Sequence, residues 1–354
     1  MPRLYPRLAS IGAALLCLVA CLGAHAKDTA MTQPNSLCFG RFIVDLPEGA
    51  EIQDMGQQSE YMYGEIKSVP FDGGIAAFER KIQQRESELI GADKARGRSL
   101  RRTIAASPSA RVLVTERKIF GRHDFGFEAY KLDHGLLFSL IEKSFDEDVF
   151  NKKVLTQLQT ELLPNLRARK MDEIPTEPGF CIRDGFIADN GNVDIYEHAR
   201  MQLNFKQWPD MWISLTSMTV HRTGRETLLQ RVDKHPATLF AKPFVKVLRK
   251  GRHDINGRTA EEILQLLPTD QGFKQHSFRW EATGEVNRIL VPDLIVELES
   301  GRPLNGVPRR PSLTDQQAIE LFDRIVKSVR LRPTGADKRG AVDVPKPPPS
   351  PSSE

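Results

Sequence analysis

The 354-residue sequence has little of what marks several large classes of protein. Its formal net charge is only +4, from 50 basic and 46 acidic residues, so it lacks the basic excess of a dedicated nucleic-acid-binding protein. No apolar run of about 18 residues follows residue 30, which argues against a membrane-spanning helix in the mature chain. A hydrophobic fraction of 40% argues against a disordered polymer. The sequence therefore predicts a globular protein, long enough for two domains.

The common catalytic motifs are also missing. The sequence has no G-x-S-x-G for a nucleophilic serine, no H-E-x-x-H for zinc and no G-x-x-x-x-G-K-[ST] for phosphates. Without a nucleophile and a base that can be placed on one site, no catalytic residue and no cofactor is predicted. An enzyme with an unrecognised site stays open as an alternative.

One set of residues has the chemistry of a metal site. His123-Asp124 and Asp133-His134 lie ten residues apart across a predicted hairpin, and imidazoles with carboxylates are common metal ligands. Aspartate, glycine and histidine are also ordinary turn residues. We favour the turn and predict no metal site.

The first 26 residues have the pattern of a secretory signal peptide. Arg3 and Arg7 precede the apolar run Ala9–Gly23, and Ala24-His25-Ala26 is a small-x-small exit, so cleavage after Ala26 makes Lys27 the first mature residue. The alternative is a lipoprotein box ending at Cys21, whose acylation is the one predicted route to membrane attachment. Both readings place the protein outside the cytoplasm, in a bacterial periplasm.

Two of the four cysteines remain after the leader. Cys38 and Cys181 are an even pair in an oxidising compartment, which makes them a candidate disulfide. Two buried free thiols are the alternative. No CxxC or HxxxH spacing accompanies them, so metal binding is not favoured.

Short motifs recur in the same order in the two halves of the chain. Each half has Phe-Ile-small-Asp soon after a Cys (42–45 and 186–189), then Gly-Arg-His-Asp (121–124 and 251–254), then a helix followed by Leu-Arg. An ordered repeat favours two related lobes. The predicted organisation is a linker at 27–35, an N-terminal lobe at 36–170, a linker at 171–178, a C-terminal lobe at 179–334 and a disordered Pro/Ser-rich tail at 335–354.

The periodicity inside each lobe is mixed. Apolar and polar residues alternate over 193–205, which predicts a half-buried strand. Residues 150, 154, 158 and 162 have helical spacing, and a capping box at Thr314 and Gln317 starts a last helix. Strands with few strand–helix alternations predict an α+β fold, with an antiparallel sheet in each lobe and helices packed on one face.

Two further features are candidate contact surfaces. Lys94, Arg96, Arg98, Arg101 and Arg102 form a basic stretch that suits an anionic lipid or an acidic partner, although a solvated loop is the more common role. Trp208 and Trp212 are candidate interface anchors, although core packing is the more common role for tryptophan.

Four segments together resemble a known family. They are Cys-Phe-Gly-Arg-Phe-Ile-Val-Asp-Leu-Pro at 38–47, Pro-Gly-Phe-Cys-Ile at 178–182, Ile-Asn-Gly-Arg at 255–258 and Leu-Arg-Pro at 331–333. In this order, over residues 36–334, they resemble the immunity proteins that protect bacteria from type VI secretion lipase effectors, in the group paired with the fourth lipase-effector group.

The resemblance implies a two-lobed α+β inhibitor of the periplasm. Such a protein binds its cognate phospholipase one-to-one, holds the lipase lid between its lobes and has no catalytic residues to carry over. Contact residues vary with the cognate lipase, so the family motifs assign none. A chaperone or scaffold for an exported lipase is the alternative, because the family motifs alone do not separate inhibition from assisted folding.

Overall fold

The computed structural model describes residues 35–53, 56–91, 97–189, 195–234, 244–301 and 306–334. The predicted leader with Cys21, Ala26 and Lys27, most of the predicted linker at 27–35 and the predicted tail at 335–354 lie outside the described residues. Within the described ranges, no helix is long and apolar enough to cross a membrane.

The two halves of the chain contain corresponding elements in the same order, except that β3 of the first half has no counterpart among the described residues. Each half begins with a hairpin and ends with a helix and a short strand. The first half contains β1 (Asn35–Phe39), β2 (Phe42–Leu46), β3 (Ala50–Ile52), β4 (Gln58–Tyr61), β5 (Gly64–Pro70), α1 (Gly74–Gly91), β6 (Ser99–Ser107), β7 (Ala110–Ile119), β8 (Arg122–Asp133), β9 (Leu136–Phe145), the helical segment α2 (147–165) and β10 (Leu166–Ala168). The second contains β11 (Gly179–Ile182), β12 (Gly185–Ala188), β13 (Glu197–Phe205), β14 (Trp212–Met218), α3 (Leu228–Lys234), β15 (Lys246–Arg252), β16 (Ala260–Pro268), β17 (Lys274–Ala282), β18 (Asp293–Ser300), α4 (Asp315–Ser328) and β19 (Arg330–Leu331).

One 13-stranded sheet runs through both halves. Its order is β15-β16-β17-β18-β14-β13 from the second half, then β4-β5-β9-β8-β7-β6 from the first, and β3 also pairs with β13. The two runs are mirror copies in order and meet at the antiparallel β13–β4 pair. Neighbouring strands pair antiparallel throughout this path, which confirms the predicted α+β, antiparallel class.

The two faces of this sheet differ in how deeply their side chains are buried. On the face that we call the inner face, Ala199, Met201 and Leu203 of β13 are buried, as their paired residues on β14 are. On the opposite face, His198 and Gln202 are half-buried and Arg200 is exposed. This alternation is the period-two pattern of the sequence, because successive strand residues point to opposite sides.

The helices cover both faces. The α2 residues Phe150 and Val154 share the main core with inner-face residues such as Phe127. The α1 residues Phe78 and Ile82 form a separate core with Leu113, which lies between inner-face neighbours on β7. Helix α1 therefore packs opposite α2, and the expectation of helices on one face describes only α2 and α4. The small α3 lies on the side of α1, where its Arg231 donates to Glu281 at 2.6 Å.

The spacing of four in α2 has a structural consequence. In an ideal α-helix, residues 150 and 162 lie about 120° apart around the axis, since each residue advances by about 100°. The segment instead contains π-helical stretches at Phe150–Val154 and Leu158–Leu162, which have more residues per turn. All four residues at this spacing are consequently buried at 0–1% exposure.

Each opening hairpin is completed by the closing strand of the other half. Strand β19, near the end of the chain, pairs with β2, and β10 of the first half pairs with β12 of the second. The backbone groups of Arg332 and Arg169 continue these pairings by donating to the carbonyls of Arg41 and Asp184. The halves thus exchange their last strands.

The two opening hairpins are also joined directly. A disulfide links Cys38 to Cys181, and the backbones of Gly40 and Cys181 exchange hydrogen bonds at 3.0 and 2.8 Å. Gly40 has φ of +54°, and a Cβ there would lie 3.3 Å from Phe180, so this crossing favours glycine.

A buried ion pair lies beside the disulfide. Arg41 Nε and Nη2 donate to the two carboxylate oxygens of Glu197 at 2.8 and 2.6 Å, and Nη1 donates to Asp189 at 2.9 Å. Burial alone would lower the pKa of Arg41, but the hydrogen bonds and charges of Glu197 and Asp189 raise it above its ordinary value. Burial raises the pKa of Glu197, and Arg41 opposes that rise.

The register corrects two details of the sequence repeat. Ile43 pairs with Cys38 and Phe186 pairs with Cys181, so the structural counterpart of Phe186 is Ile43 and not Phe42. The two Gly-Arg-His-Asp copies are not equivalent either. The first begins in the β7–β8 turn and the second ends in the β15–β16 turn, whereas β15 corresponds to β6.

Replacing Arg41 with alanine should strongly destabilise the fold. Glu197 would be left buried without its counter-ion, which costs about 3–5 kcal/mol of unfolding free energy in comparable pairs. Urea denaturation of the mature chain measures this change. The matched control is Arg252→Ala, because the Arg252 side chain is 70% exposed and we expect no measurable effect. Equal effects of the two substitutions would contradict the role of the buried pair.

Removing the disulfide should also destabilise the fold. It joins residues 143 apart, and closing a loop of that length is worth about 5 kcal/mol in the chain-entropy model. We expect the double variant Cys38→Ala/Cys181→Ala to unfold at lower urea than the parent. Reductant should shift the parent and leave the double variant unchanged; a parent insensitive to reductant would contradict the prediction.

Candidate partner interface

On the side of α1 and α3, the helices of the described residues pack on the two ends of the sheet and not on its centre. We call this surface the open face; it consists of the α1-side residues of β18, β14, β13, β4, β5 and β9, which are adjacent in that order, except Leu137 of β9, which is buried against α1. Helix α1 packs over β6, β7 and β8 at one end and α3 over β16 at the other. Six adjacent strands span about 24 Å at the usual strand separation. The open face is therefore a broad surface bordered by helices of both halves.

The open face mixes charged and apolar side chains. Val69 and Ile141 are 50% and 44% exposed, on the adjacent strands β5 and β9. Lys67 lies 3.3 Å from Glu65, and Arg200 is exposed with no ion-pair partner among the described residues. Exposed apolar residues beside charges are typical of protein-binding surfaces.

Several polar groups of the open face are held in place. Ser214 donates to Glu297 at 3.0 Å, and His198 lies 3.6 Å from Glu60. Burial, with the hydrogen bond to Glu60, raises the pKa of Tyr196 to about 12, so its hydroxyl stays neutral. This surface offers hydrogen-bonding groups in fixed positions.

A cavity of about 510 Å³ lies at the hairpin junction. Its two arginines are largely engaged: Arg41 binds Glu197 and Asp189, and Arg332 donates to the carbonyls of Glu177 and Gly179 at 2.7 and 2.8 Å, while Arg332 Nε has no hydrogen-bond partner among the described residues. Burial lowers the pKa of Arg332 to about 10. What the cavity leaves available is mainly apolar, from Leu290 and Leu331 at 52% and 45% exposure.

One trio, of which the serine and the histidine are buried, has the composition of a hydrolytic triad. His276 Nδ1 lies 2.5 Å from Ser300 Oγ, and His276 Nε2 lies 3.1 Å from Asp315 Oδ1. Ser300 is 0% and His276 1% exposed, so the hydroxyl has no route to a substrate. The trio instead ties β17 and β18 to the first turn of α4.

The candidate metal residues are separated by the fold. Strand β8 runs from Arg122 to Asp133, so His123 and His134 lie at opposite ends of one strand and not across a hairpin. His123 lies 3.3 Å from Glu116, whereas His134 contacts its neighbour Asp133. Among the described residues, no group of three or more His, Cys, Asp or Glu is placed to hold a metal ion.

The other sequence candidates have different positions. Trp208 is half-buried against Phe205, with ring centroids 5.6 Å apart, and Trp212 lies half-buried at the edge of the open face. Arg98 and Arg101 bind Asp124 and Glu116 near the β7–β8 turn. Lys94 and Arg96 lie outside the described residues.

Sequence reasoning missed the open face as a site. The signal was present in the polar half of the 193–205 alternation, which includes His198, Arg200 and Gln202. A half-buried strand normally has a solvated side, so alternation alone does not distinguish a binding surface. The distinguishing observation is that helices border this surface at both ends.

Comparisons with known proteins agree with this architecture. Family models for the N-terminal and C-terminal domains of Tle cognate immunity protein 4 match residues 35–174 and 173–334. The chain belongs to the Tle cognate immunity protein 4 family. It is accordingly an immunity protein against a type VI secretion phospholipase effector, as the sequence resemblance predicted.

Solved structures show the same fold. The crystal structure of the Tle4–Tli4 complex contains a chain 26% identical to this one, with a TM-score of 0.72, covering 85% of this chain and 98% of that one. The apo immunity protein TplEi of Pseudomonas aeruginosa is 27% identical, with a TM-score of 0.70 and coverage of 85% and 97%. TplEi complexed with an "L" peptide matches at 26% identity and a TM-score of 0.65, over 84% of this chain and 98% of that one. A comparison with curated proteins finds no match.

The buried His276 predicts a loss of stability in mild acid. Burial lowers the pKa of His276 below its ordinary value of 6.5, and Asp315 only partly offsets this. The unfolded chain therefore binds a proton that the folded chain does not. We expect stability to be complete above about pH 6.5 and to fall as the pH drops below it, measured by urea denaturation at each pH.

The control for this prediction is His134, whose side chain is 84% exposed. His276→Gln should remove this part of the pH dependence, and His134→Gln should leave it unchanged. A wild-type curve that is flat between pH 7 and pH 5 would show that His276 does not contribute.

Proposed function

We propose that this protein inhibits its cognate phospholipase in the periplasm by binding it across the open face, between α1 and α3. The bound region of the lipase is its lid, and holding the lid closed keeps the active site from lipid. An inhibitor of this kind needs higher affinity for the closed state than for the open state. The observation that carries the proposal is the centre of a sheet that both halves build, with helices of the described residues at its two ends.

The size of the open face suits this role. Stable protein–protein interfaces bury about 800 Å² on each partner. Strands such as β13 and β14 contribute nine and seven residues, and six strands about 24 Å across therefore offer a floor of several hundred Å². The bordering helices supply additional contact area, including Ile75 of α1 at 47% exposure.

The rigidity of the open face also suits inhibition. The central strands are fixed by the continuous hydrogen-bonded ladder, by the disulfide and by the Arg41–Glu197 pair on the inner face. A surface already in its binding geometry loses less conformational entropy on association. Tight binding then requires fewer new contacts.

We further propose that residues 36–170 and 179–334 act as the two lobes, with 171–178 as the connection. Arg332 holds this connection by donating to the carbonyls of Pro175 and Glu177. The disulfide fits an exported protein, since disulfides persist in oxidising compartments. Inhibition here is stoichiometric and not enzymatic, which agrees with the burial of Ser300 and with the family.

The test of the function uses the mature chain, 27–354, and the folded lipase encoded beside its gene. Titration should bring phospholipid hydrolysis to zero near a one-to-one ratio, and the two proteins should co-elute on a sizing column. Hydrolysis that stays unchanged with separate elution would contradict inhibition. An effect confined to lipase refolded from denaturant would indicate a chaperone instead.

Reversing a charge on the open face should weaken inhibition. Arg200→Glu changes an exposed residue at the centre of the floor, and we expect a 10–100-fold weaker affinity because reversed charges at an interface repel their partners. Isothermal titration with the cognate lipase measures the effect. The control Lys274→Glu reverses an exposed charge at the start of β17, away from the central strands, and should bind as the parent does. Equal affinity of all three proteins would contradict binding at the open face.

A further inference from the structure

The β7–β8 turn places an aromatic residue where that turn type disfavours one. Phe120 and Gly121 have φ of 51° and 80°, so both central residues lie in the left-handed region, as in a type I′ turn. Asparagine, aspartate and glycine are the residues that suit these positions, and a bulky residue there is an outlier. Another turn has the preferred pair, Asn256-Gly257, in the β15–β16 connection.

Phe120 contacts almost nothing in the protein. Its side chain is 103% exposed, the highest value among the exposed large hydrophobic residues of the described chain. Phe120 therefore neither packs in the core nor favours the conformation of the turn. An apolar side chain held fully in water in a disfavoured backbone conformation points to a contact outside the chain.

Basic residues surround this tip. Lys118 pairs with His123 and Ile119 with Arg122, so Lys118 and Arg122, each two residues from Phe120, project to opposite sides of the hairpin. Both are exposed, and neither has an ion-pair partner among the described residues.

Other basic residues near the tip form ion pairs with acidic residues. Arg98 and Arg117 bind Asp124, and Arg101 binds Glu116. Together with Lys118 and Arg122, these make five basic groups beside the two carboxylates that three of them bind, while Asp146, Glu147 and Asp148 follow Phe145, the partner of Phe125, further from the tip. We call Phe120 and these five basic residues the basic aromatic tip.

We propose that the basic aromatic tip docks this protein on an anionic phospholipid surface, with Phe120 inserted at the headgroup level. The arginines and lysine are attracted to anionic lipids, and the aromatic ring enters the boundary between headgroups and acyl chains. A single apolar residue within a ring of cations matches a charged, planar surface. A protein partner would instead favour a cluster of aromatic anchors and a pocket. This inference does not rest on the proposed inhibition, because it concerns vesicle binding by the protein alone.

The experiment is vesicle co-sedimentation of the mature chain, 27–354, without lipase. The probes are phosphatidylcholine vesicles with and without 30% phosphatidylglycerol. We expect binding to the anionic vesicles only, and a loss of binding as salt rises, since the attraction is screened. Equal binding to both vesicles, or no binding to either, would overturn the proposal.

Two variants test the residues without endangering the fold. Phe120→Asn gives the turn its preferred Asn-Gly sequence, so the unfolding midpoint should stay the same or rise, while vesicle binding falls at least tenfold. Lys118→Glu/Arg122→Glu should reduce vesicle binding by a similar factor. The controls are Ile90→Asn, at a residue 65% exposed on α1, and Arg252→Glu/Lys274→Glu, at exposed basic residues outside the tip.

The controls should bind anionic vesicles as the parent does. If they lose binding equally, attraction is spread over the whole surface and the tip has no special role. If Phe120→Asn keeps vesicle binding and instead loses inhibition of the lipase, the tip contacts the lipase and the lipid proposal is wrong.

Discussion

The exchange of closing strands is the constraint on which the rest of the structure depends. Each opening hairpin lacks a neighbour within its own half and obtains it from the other, through β19 on β2 and β10 on β12. The disulfide and the Arg41–Glu197 pair lie where the two hairpins cross. These contacts fix the inner face at the midpoint of the sheet, and the β13–β4 pair then joins two six-strand runs into one surface. The open face is continuous because both halves contribute to the strands, the disulfide and the ion pair that hold the middle of the sheet.

Buried and exposed charges contribute differently to the stability of this arrangement. The pairs at the hairpin junction are buried and their partners have no water to replace a lost counter-ion, so each depends on the other. The charges on the open face, such as Lys67 and Arg200, are exposed, and their contribution to folding is small. The protein therefore separates the charges that stabilise the fold from those available to a partner.

Local patterns in the sequence predict much of this fold. They do not predict which strands pair when the strands are distant in sequence. Alternation over 193–205 identifies β13, and the capping box at Thr314 identifies the start of α4, because both signals are contained in a few residues. Which hairpin β19 pairs with depends on residues nearly 300 positions away, and a repeat in the sequence does not reveal an exchange. The Gly-Arg-His-Asp repeat misleads because four residues recur in non-equivalent turns. The candidate site was predictable only as a polar strand face, since its borders come from helices distant in sequence.

The exchanged strands have a consequence for how the protein reaches its folded state. Strand β2, near the beginning of the described chain, gains its third strand only when Arg330 and Leu331 pair with it, and these are among the last described residues. Contacts of such long range form slowly, because the intervening chain must first be ordered. Translocation from the N-terminus, the order that the predicted leader implies, would deliver β2 early and β19 late. In that order the first hairpin would gain its third strand only when nearly all of the described chain had crossed.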